Sequence, residues 1–518
     1  MRAKYGLVLC AVFFLLAPLV AQDEPDAALQ HEFVIVAASH AYDLNPHSAN
    51  YSSEAQVLSG LYEGLYSYDP KTLEPVPALA TGYKLSRNKK RWTFTIRDGA
   101  HFSNGDLITA ASVRDSWLRL LAKPAAPYAS MLDSIVGAQE FRTGLVGASA
   151  VGIVARDEKT LVVNLETPMA HLPRILCHHA YAVVSAKEDV YSGAYVLKAN
   201  EHDTIVLEKN PQYWDAENVH LPSITIIGSG DTKENAWRFN TGRADWIISM
   251  ADTASLLNKN AVRIAAEFGT EYLFFSCKGA IWRKADFRNA LLAAVPWEEL
   301  RKNSLVQATT LIYPLAGYPV VEGLTDTSLE DAQDMMAQAR KDANIPADEK
   351  LTLIFGITDS ERMKKEYELL RDAWAPLGVD VQCQKTSDDR YLNSIPSWNA
   401  DLFTYSWIGD FADPLAFLEL FREGSTLNQT KWKNTFFNQL LKDAAETTSS
   451  AEHNKLLSQA EQVLLDDGVV LPISHSVCLH VISPTAVGGW YTNALDIHPF
   501  KYLYFKAETS SVPNVVRR

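Results

Sequence analysis

Asp410 is the residue in this sequence whose surroundings most clearly predict a binding site. It lies in the largely apolar segment 405–414, and no Lys or Arg occurs between Arg390 and Arg422. Burying an ionised carboxylate without a cation is costly and favours its neutral form. The sequence therefore predicts either a pocket in which a cation from outside the protein pairs with Asp410, or a turn that Asp410 caps.

The neighbours of Asp410 are the next candidates for a pocket lining. If the segment is extended, Trp407, Gly409 and Phe411 face one way and Asp410 faces the other. The two aromatic residues then either line a ligand pocket or fill the protein interior. Asp413 precedes Pro414, and this position favours a turn or helix cap over a second ligand-binding carboxylate.

Further motifs accompany this segment in a recognisable order along the chain. They are Leu44–His47, Leu61–Tyr66, Pro77–Ala80, Trp92–Gly99, Phe102–Ala110, Leu207–Asp215 and Gly242–Trp246. With these motifs the chain resembles the peptide and nickel branch of the extracellular solute-binding proteins, and most closely its dipeptide- and oligopeptide-binding members. The motifs span nearly the whole chain after its first 40 residues.

The resemblance implies a fold, a function and site residues. The implied fold is α/β with mixed α+β sheets, a two-lobed periplasmic-binding-protein clamp with an extra subdomain in lobe I. The implied function is capture of short peptides for an ABC-type importer, with Asp410 holding the ligand's α-ammonium group. Trp407, Gly409 and Phe411 are carried over as ligand-binding neighbours. Asn45 and His47 correspond to the cleft edge of lobe I, or form a local turn.

The resemblance also suggests boundaries for the parts of the clamp. Lobe I is expected to comprise 23–66, 185–276 and 485–518, with the inserted subdomain at 67–184. Lobe II is expected at 277–484, and the hinge near residues 276 and 485.

Two departures from the family pattern concern local structure. Ser192–Tyr195 replaces the usual Gly-Pro-Tyr, so the turn lacks the proline that would fix its φ angle. Ala294–Trp297 replaces an Ile-Asp-Arg ending, and Pro296 is expected to end the preceding helix early.

Residues 1–22 have the features of a signal peptide. Arg2 and Lys4 precede the uncharged stretch 5–22, which is short for a membrane span. Cleavage is expected near Ala21 or Gln22, with a lipid-anchored form through Cys10 as the alternative. The mature protein is then expected in the periplasm, as a monomer that does not insert into the membrane.

Composition narrows the function classes. A chain of 518 residues with 47% hydrophobic and 21% charged residues is globular and too long for one ordinary core. Its net charge of -14 argues against nucleic-acid partners. The motifs Gly-x-Ser-x-Gly, His-Glu-x-x-His, Gly-x-Gly-x-x-Gly and the P-loop are absent from the sequence, so we expect no enzyme and no catalytic residues.

Cysteine and histidine residues leave a metal hypothesis open without favouring it. Beyond the leader, four widely spaced cysteines could be free thiols or disulfides: Cys177, Cys277, Cys383 and Cys478. In extended strands, the pair His178–His179 and the pair His475 and His480 would each point to opposite faces. No metal or cofactor is therefore expected. Nickel, a metal chelate or another solute remains the alternative ligand, and a macromolecular docking module the alternative class.

Periodicity predicts the elements that must position these residues. A strand is expected at Phe33–Ala37, helical spacing at 56–65, and an alternating strand from Trp92 onwards. In the second half we expect a strand–helix–strand unit at 351–355, 361–375 and 378–381. Helices are expected within 436–466, followed by a returning strand at 469–473.

Overall fold

The computed structural model describes residues 32–507 except for positions 125, 170 and 448. The predicted signal peptide, its cleavage site and Cys10 lie outside the described residues.

The α-helices are α1 (Ser52–Leu61), α2 (Ala110–Leu121), α3 (Ala138–Arg142), α4 (Leu172–Ile175), α5 (Thr232–Asn240), α6 (Ala285–Ala293), α7 (Trp297–Arg301), α8 (Leu329–Asp342), α9 (Glu361–Trp374), α10 (Tyr391–Ser394), α11 (Leu415–Leu418), α12 (Thr435–Glu446) and α13 (Ser450–Asp466). The strands are β1 (Phe33–Ala37), β2 (Tyr66–Tyr68), β3 (Pro75–Pro77), β4 (Ala80–Leu85), β5 (Arg91–Ile96), β6 (Ile153–Ala155), β7 (Thr160–Asn164), β8 (Tyr195–Glu201), β9 (Thr204–Lys209), β10 (Ser223–Gly228), β11 (Trp246–Ile248), β12 (Val262–Phe275), β13 (Leu351–Ile357), β14 (Val379–Lys385), β15 (Leu402–Ile408), β16 (Val470–Ile482), β17 (Val487–Gly488) and β18 (Tyr504–Phe505).

A mixed sheet of ten strands runs through the molecule, in the order β14-β13-β15-β12-β16-β11-β1-β10-β9-β8. The long strands β12 and β16 pair antiparallel at its centre and connect the two groups of strands. Their register breaks between Ala266 and Thr270. Beyond this break, β12 pairs with β15 from Gly269 onwards. The bulge therefore lies where one group of strands gives way to the other.

A separate four-stranded sheet, in the order β4-β5-β7-β6, forms the core of the segment that follows β3. In β5 the side chains of Trp92, Phe94 and Ile96 are buried, as the alternation in the sequence predicts. Helix α2 packs on this sheet, and Trp117 donates a hydrogen bond from its indole nitrogen to the carbonyl of Tyr181 at 2.9 Å. This sheet supports the turn that carries His178 and His179.

The predicted strand–helix–strand unit is confirmed as β13, α9 and β14, with the two strands parallel. Ser360 caps α9 by accepting the backbone N–H of Met363 at 3.2 Å. Leu370 and Trp374 are fully buried on the inner face of the helix. The unit forms because this apolar stripe recurs at three- and four-residue steps.

Helix α1 differs from its predicted position, 56–65, because it begins at Ser52 and ends at Leu61. Glu54 accepts backbone N–H groups of Asn50 and Tyr51, which fixes the start of the helix. At its end, a Cβ atom on Gly193 would lie 2.4 Å from the carbonyl oxygen of Gly60. The Ser-Gly turn therefore needs this glycine for close packing, although it lacks the usual proline.

Other predicted elements agree with the structure. Helix α6 stops at Ala293, and Pro296 starts the separate helix α7. The predicted helices correspond to α12 and α13, and the predicted returning strand corresponds to the start of β16. Within the part of the chain that the structure describes, no helix combines the length and apolar character needed to cross a membrane.

Candidate functional site

Asp410 lines an internal cavity of about 310 Å³, which we call the inner cavity. Its lining includes aromatic and histidine side chains: Tyr51, Tyr62, Tyr66, Tyr68, Tyr128, His178, His179 and Trp407. Two larger cavities, of about 880 and 750 Å³, share lining residues with the inner cavity at Ser406 and Tyr51 respectively. The three neighbouring cavities are together called the cleft, and residues of β12 and β16 line its 880 Å³ part.

The local backbone holds Asp410 through contacts with distant segments. Strand β15 ends at Ile408, and the N–H of Gly409 donates to the carbonyl of Phe268 at 2.8 Å. A Cβ atom at Gly409 would lie 2.6 Å from the Phe268 ring, so this approach requires glycine. The carbonyl of Asp410 then accepts a hydrogen bond from the Tyr68 hydroxyl at 2.7 Å. The bulge in β12 and the hydroxyl of Tyr68 thus fix the carboxylate at the cavity wall.

His178 contacts one oxygen of the Asp410 carboxyl group. Its Nε2 lies 3.3 Å from Oδ1, while its Nδ1 accepts the N–H of Ala180 at 3.3 Å. Burial lowers the pKa of His178 to about 3, so the ring is neutral. A neutral ring that accepts at Nδ1 carries its proton on Nε2, and this N–H lies beside the carboxyl group of Asp410.

The second oxygen of Asp410 has no hydrogen-bond partner among the described residues. The side chain is 7% exposed, and burial raises the pKa of Asp410 well above its usual range. No Lys or Arg lines the inner cavity. The site therefore has a buried acceptor whose ionised form lacks a counter-charge.

Glu63, the other carboxylate in the lining, is already neutralised. Lys501 approaches its Oε1 at 2.7 Å, and the hydroxyl of Tyr213 donates to Oε2. Within the described lining, Asp410 is therefore the carboxylate that remains for a cationic ligand.

The predicted neighbours of Asp410 fall into two groups. Trp407 and Gly409 line the inner cavity, and the Trp407 indole donates to the carbonyl of Ala416 at 3.0 Å. Phe411 is 1% exposed and stacks on His171 outside the cavity linings. The expected alternation of faces does not extend to Asp410, because β15 has already ended.

Asn45 and His47 form a local turn, the alternative that the sequence left open. The Asn45 side chain accepts the N–H of His47 at 3.0 Å, and its carbonyl accepts the N–H of Ser48. Neither residue lines any of the three cavities.

Asp413 has its charge satisfied within the protein. Its carboxylate lies 3.1 Å from Nε2 of His453 and accepts the N–H of Leu415 at the start of α11. This agrees with the predicted capping role.

His178 and His179 both line the inner cavity, which was not predicted from the sequence. They do not lie on an extended strand, because His178 caps a short 3₁₀ turn formed by His179–Tyr181. Their ring centroids lie 4.1 Å apart, and both residues line the inner cavity. The assumption of a strand was therefore wrong at this pair.

A second cluster of possible metal ligands lies on β16. Cys478 and His480 approach Asp496, with ligand atoms within 4.8 Å of one another. However, Nδ1 of His480 accepts the indole N–H of Trp246 at 3.1 Å. The proton of the neutral ring is then on Nε2, 2.8 Å from Asp496, and no lone pair is left for a metal. We interpret the cluster as a hydrogen-bonded anchor for the Asp496 loop.

The four cysteines after the leader are all free thiols in the structure: Cys177, Cys277, Cys383 and Cys478. Burial raises the pKa values of Cys277 and of Cys478, the latter to about 12. These thiols are therefore protonated and poorly reactive at neutral pH.

Direct contacts close the cleft on the side of α3. We call this contact the latch, formed by Ser130, Asp133 and Arg142 on one side and by Arg422, Gly424 and Thr426 on the other. The N–H of Thr426 donates to Oγ of Ser130 at 2.9 Å, and Arg142 donates to the carbonyl of Gly424 at 3.1 Å. Arg422 donates to the carbonyl of Ser130 at 3.2 Å and lies 3.5 Å from Asp133.

Comparison with known proteins assigns the chain to a family. The family model "Bacterial extracellular solute-binding proteins, family 5 Middle" matches residues 74–429, which is more than half of the chain. The chain belongs to this family. The resemblance drawn from the sequence motifs is thereby confirmed.

Relatives of this family 5 solute-binding protein differ in the ligands that their names record. The dipeptide-binding protein DppE of Bacillus subtilis is 27% identical over 480 residues, covering 87% of each chain. The probable deoxycholate-binding periplasmic protein YgiS of Escherichia coli is 26% identical over 525 residues, covering 95% of this chain and 97% of YgiS.

Solved structures confirm the clamp fold and indicate its state. The murein tripeptide-binding protein MppA of Escherichia coli superposes with a TM-score of 0.79, at 26% identity over 92% of this chain and 99% of MppA. The unliganded open form of MppA gives a TM-score of 0.63, at 25% identity over 92% and 98% of the two chains. The family 5 protein described here is therefore less similar to the open form, in agreement with the contacts of the latch.

Proposed function

We propose that this protein captures short peptides in its cleft and delivers them to an ABC importer. The observation that carries this proposal is Asp410, whose unpartnered oxygen lines a cavity without Lys or Arg. A peptide's α-ammonium group supplies the missing positive charge. Because the side chain of Asp410 is largely buried, this ion pair is stronger than it would be at the surface.

The edge of β15 offers a place for the peptide backbone. Strand β15 pairs with β13 only through Leu402 and Phe403. Ser406 lies further along the same strand and lines both the inner cavity and the 880 Å³ cavity. An extended peptide can therefore add to this edge by main-chain hydrogen bonds, which every peptide sequence provides.

Charge along the cleft suggests the direction of the bound peptide. The inner cavity contains the free acceptor of Asp410. In the 880 Å³ cavity, Lys302 and Arg362 are paired with glutamates of the same lining, whereas Lys365 has no ion pair among the described residues. We propose that the peptide runs from Asp410 past Ser406, with its carboxyl end towards Lys365.

We propose that the halves joined by β12 and β16 are the two lobes of a clamp. Lobe I then comprises 23–66, 185–276 and 485–518 with the inserted subdomain 67–184, and lobe II comprises 277–484. Hinge positions near 276 and 485 belong to the same proposal. The bulge of β12 between Ala266 and Thr270, where one group of strands gives way to the other, lies shortly before the first of them. Export to the periplasm, a monomeric state, docking on a permease and the lack of catalytic activity belong to the same proposal.

The test is native mass spectrometry of the protein with a pool of di- to pentapeptides and with the same pool N-acetylated. The protein is unfolded and refolded first, to remove any ligand that co-purified. Adducts with free peptides and not with acetylated ones are expected, because acetylation removes the positive charge. Equal binding of both pools, or of neither, overturns the proposal.

Other ligand classes are disfavoured by the same geometry. A bile-acid anion, as the name of YgiS suggests for that relative, would bring a second negative charge beside Asp410. A nickel ion or metal chelate would have to displace the contact between His178 and Asp410. Elemental analysis of the purified protein tests the metal alternative, and titration with deoxycholate tests the anion.

A further inference from the structure

His179 presents a second unpartnered atom at the inner cavity. Its Nε2 is buried and has no hydrogen-bond partner among the described residues, the same condition as Oδ2 of Asp410. Both residues line the same cavity of about 310 Å³. Buried polar atoms normally have partners, and an unsatisfied one is unfavourable. The hydroxyl of Tyr66 is a third unpartnered atom of the same lining. Asp410 and His179 lie close together, because His178 contacts both of them. Their two unpartnered atoms therefore indicate a ligand group that contacts both.

The protonation of His179 identifies Nε2 as an acceptor. Burial lowers the pKa of His179 well below its usual value, so the ring is neutral. The ring also contacts the backbone of Ala49 by a hydrogen bond that raises the pKa, as a bond to a carbonyl does. Because Nε2 has no partner, this contact uses Nδ1, which then carries the proton. Nε2 is left with a lone pair.

His178 makes the pair of acceptors selective. Its Nε2 lies 3.3 Å from Oδ1 of Asp410 and covers that oxygen, whereas Oδ2 has no partner among the described residues and is the oxygen that faces a ligand. A guanidinium, which binds carboxylates through two parallel hydrogen bonds, loses that advantage here. An ammonium group is a compact charge with several N–H donors and suits two separate acceptors.

We propose that His179 is a second ligand-binding residue, whose Nε2 accepts one N–H of the ammonium group that pairs with Asp410. This inference rests on the proposed function. The site then distinguishes ligands by the number of N–H bonds at their positive charge. A primary ammonium, with three N–H bonds, and an N-methyl ammonium, with two, can satisfy both acceptors, whereas an N,N-dimethyl ammonium has one N–H and cannot.

The experiment measures the affinity of one peptide with a primary, an N-methyl and an N,N-dimethyl α-amine, by calorimetry. The series is repeated on His179→Phe, which removes the acceptor, and on His179→Gln, which keeps a polar side chain. His171→Phe is the matched control, because His171 is also buried with an unpartnered Nε2 but lies outside the inner cavity lining.

In the unaltered protein, the steep loss of affinity is expected at the second methyl group and amounts to about tenfold or more, as for a hydrogen bond to a charged group. H179F is expected to bind the primary amine about tenfold more weakly and to lose most of this step. H179Q retains part of the step, and H171F retains all of it.

Equal steps in the unaltered protein and H179F overturn the assignment of His179. If H179F does not fold, as judged by circular dichroism, the remaining series decides: equal affinities for N-methyl and N,N-dimethyl peptides in the unaltered protein overturn it as well. The proposed function fails in a different way, when the unaltered protein binds acetylated and free peptides alike or binds neither.

Discussion

We expect Asp410 to interact strongly with a bound peptide. In the ligand-free protein its ionised carboxylate is in an unfavourable environment. The substitution Asp410→Asn keeps the shape of the side chain and an oxygen beside His178, but removes the negative charge. We expect peptide affinity to fall by at least about 30-fold, because truncating one partner of a buried charge pair costs about 2–5 kcal/mol. Isothermal titration calorimetry measures this loss.

Asp413→Asn is the matched control for that substitution, because this carboxylate lies in the same segment and is paired with His453. Its affinity for peptide is expected to stay within about twofold of the unaltered protein, well below a loss of 1.4 kcal/mol. A similar loss in both variants would show that the segment, and not the charge of Asp410, determines binding.

The same two carboxylates predict opposite effects on the pH dependence of stability. Burial raises the pKa of Asp410 in the folded state, so its stabilising contribution is present below the unfolded pKa and lost as the pH rises through the folded pKa. His453 lowers the pKa of Asp413, so that contribution is present above the unfolded pKa and lost as the pH falls through the folded pKa.

For the ligand-free protein at pH 7–8, D410N is therefore expected to raise the melting temperature and D413N to lower it. Each change corresponds to about 1–3 kcal/mol, the cost of a buried polar group without a partner. Thermal denaturation between pH 4 and pH 8 measures both effects, and the gain from D410N should shrink towards pH 4. A D410N variant less stable than the unaltered protein at pH 8 would contradict this account.

From the sequence we predicted Asp410 as a ligand-binding residue, and the structure places it in a cavity lining. We did not predict that His178 and His179 line the same cavity. The absence of Lys and Arg near Asp410 is visible along the chain. A strand would point the side chains of His178 and His179 to opposite faces. The two residues line the same cavity because they lie at a 3₁₀ turn, which the sequence did not predict. The contact of His178 with Asp410 also joins residues 232 positions apart, and local patterns carry no information about it.

At the level of elements, alternation and helical spacing predicted the strands and helices that have one buried face. Strand β5 and the unit of β13, α9 and β14 agree closely with these predictions. Helix α1 was displaced because its start is set by Glu54, through contacts with the loop before it. The bulge in β12 was not predicted, since it depends on pairing with two different partners.

The latch was also not predicted from the sequence, because it connects two segments about 290 residues apart. Its central hydrogen bond is formed by the N–H of Thr426 and Oγ of Ser130. In Ser130→Ala this half-buried N–H lacks its partner when the cleft is closed, whereas water can hydrate it fully when the cleft is open. The substitution therefore destabilises the closed form specifically, by about 1–2 kcal/mol.

Peptide dissociation from Ser130→Ala is expected to be about five- to thirtyfold faster, as a cost of 1–2 kcal/mol implies. Stopped-flow release of a fluorescent peptide measures this rate. Ser458→Ala is the control, because Ser458 is also buried and its hydroxyl bonds within its own helix to the carbonyl of Lys455. An unchanged dissociation rate in Ser130→Ala would show that the latch does not hold the cleft closed.

At the scale of the whole molecule, the motifs predicted the clamp fold but not the state of the cleft. One apolar cluster joins the four-stranded sheet, β12 and the β13–β15 group. The lower TM-score against the unliganded open form of MppA, 0.63 compared with 0.79 for the other MppA structure, agrees with these contacts. Opening and closing depend on free-energy differences between states of one chain, so sequence motifs shared by the family do not determine which state is populated.

Without ligand, the carboxylate of Asp410 lacks its counter-charge, and opening of the cleft lets water solvate it. We therefore expect the refolded, peptide-free protein to have a larger radius of gyration in small-angle X-ray scattering than this structure gives. Addition of a binding peptide should reduce the radius to the value of the structure, because the ammonium group stabilises the closed form. D410N should show no peptide-dependent decrease at the same peptide concentration, since the electrostatic gain on closure is absent. A radius that is the same with and without peptide, in a protein shown to bind it, would contradict ligand-driven closure.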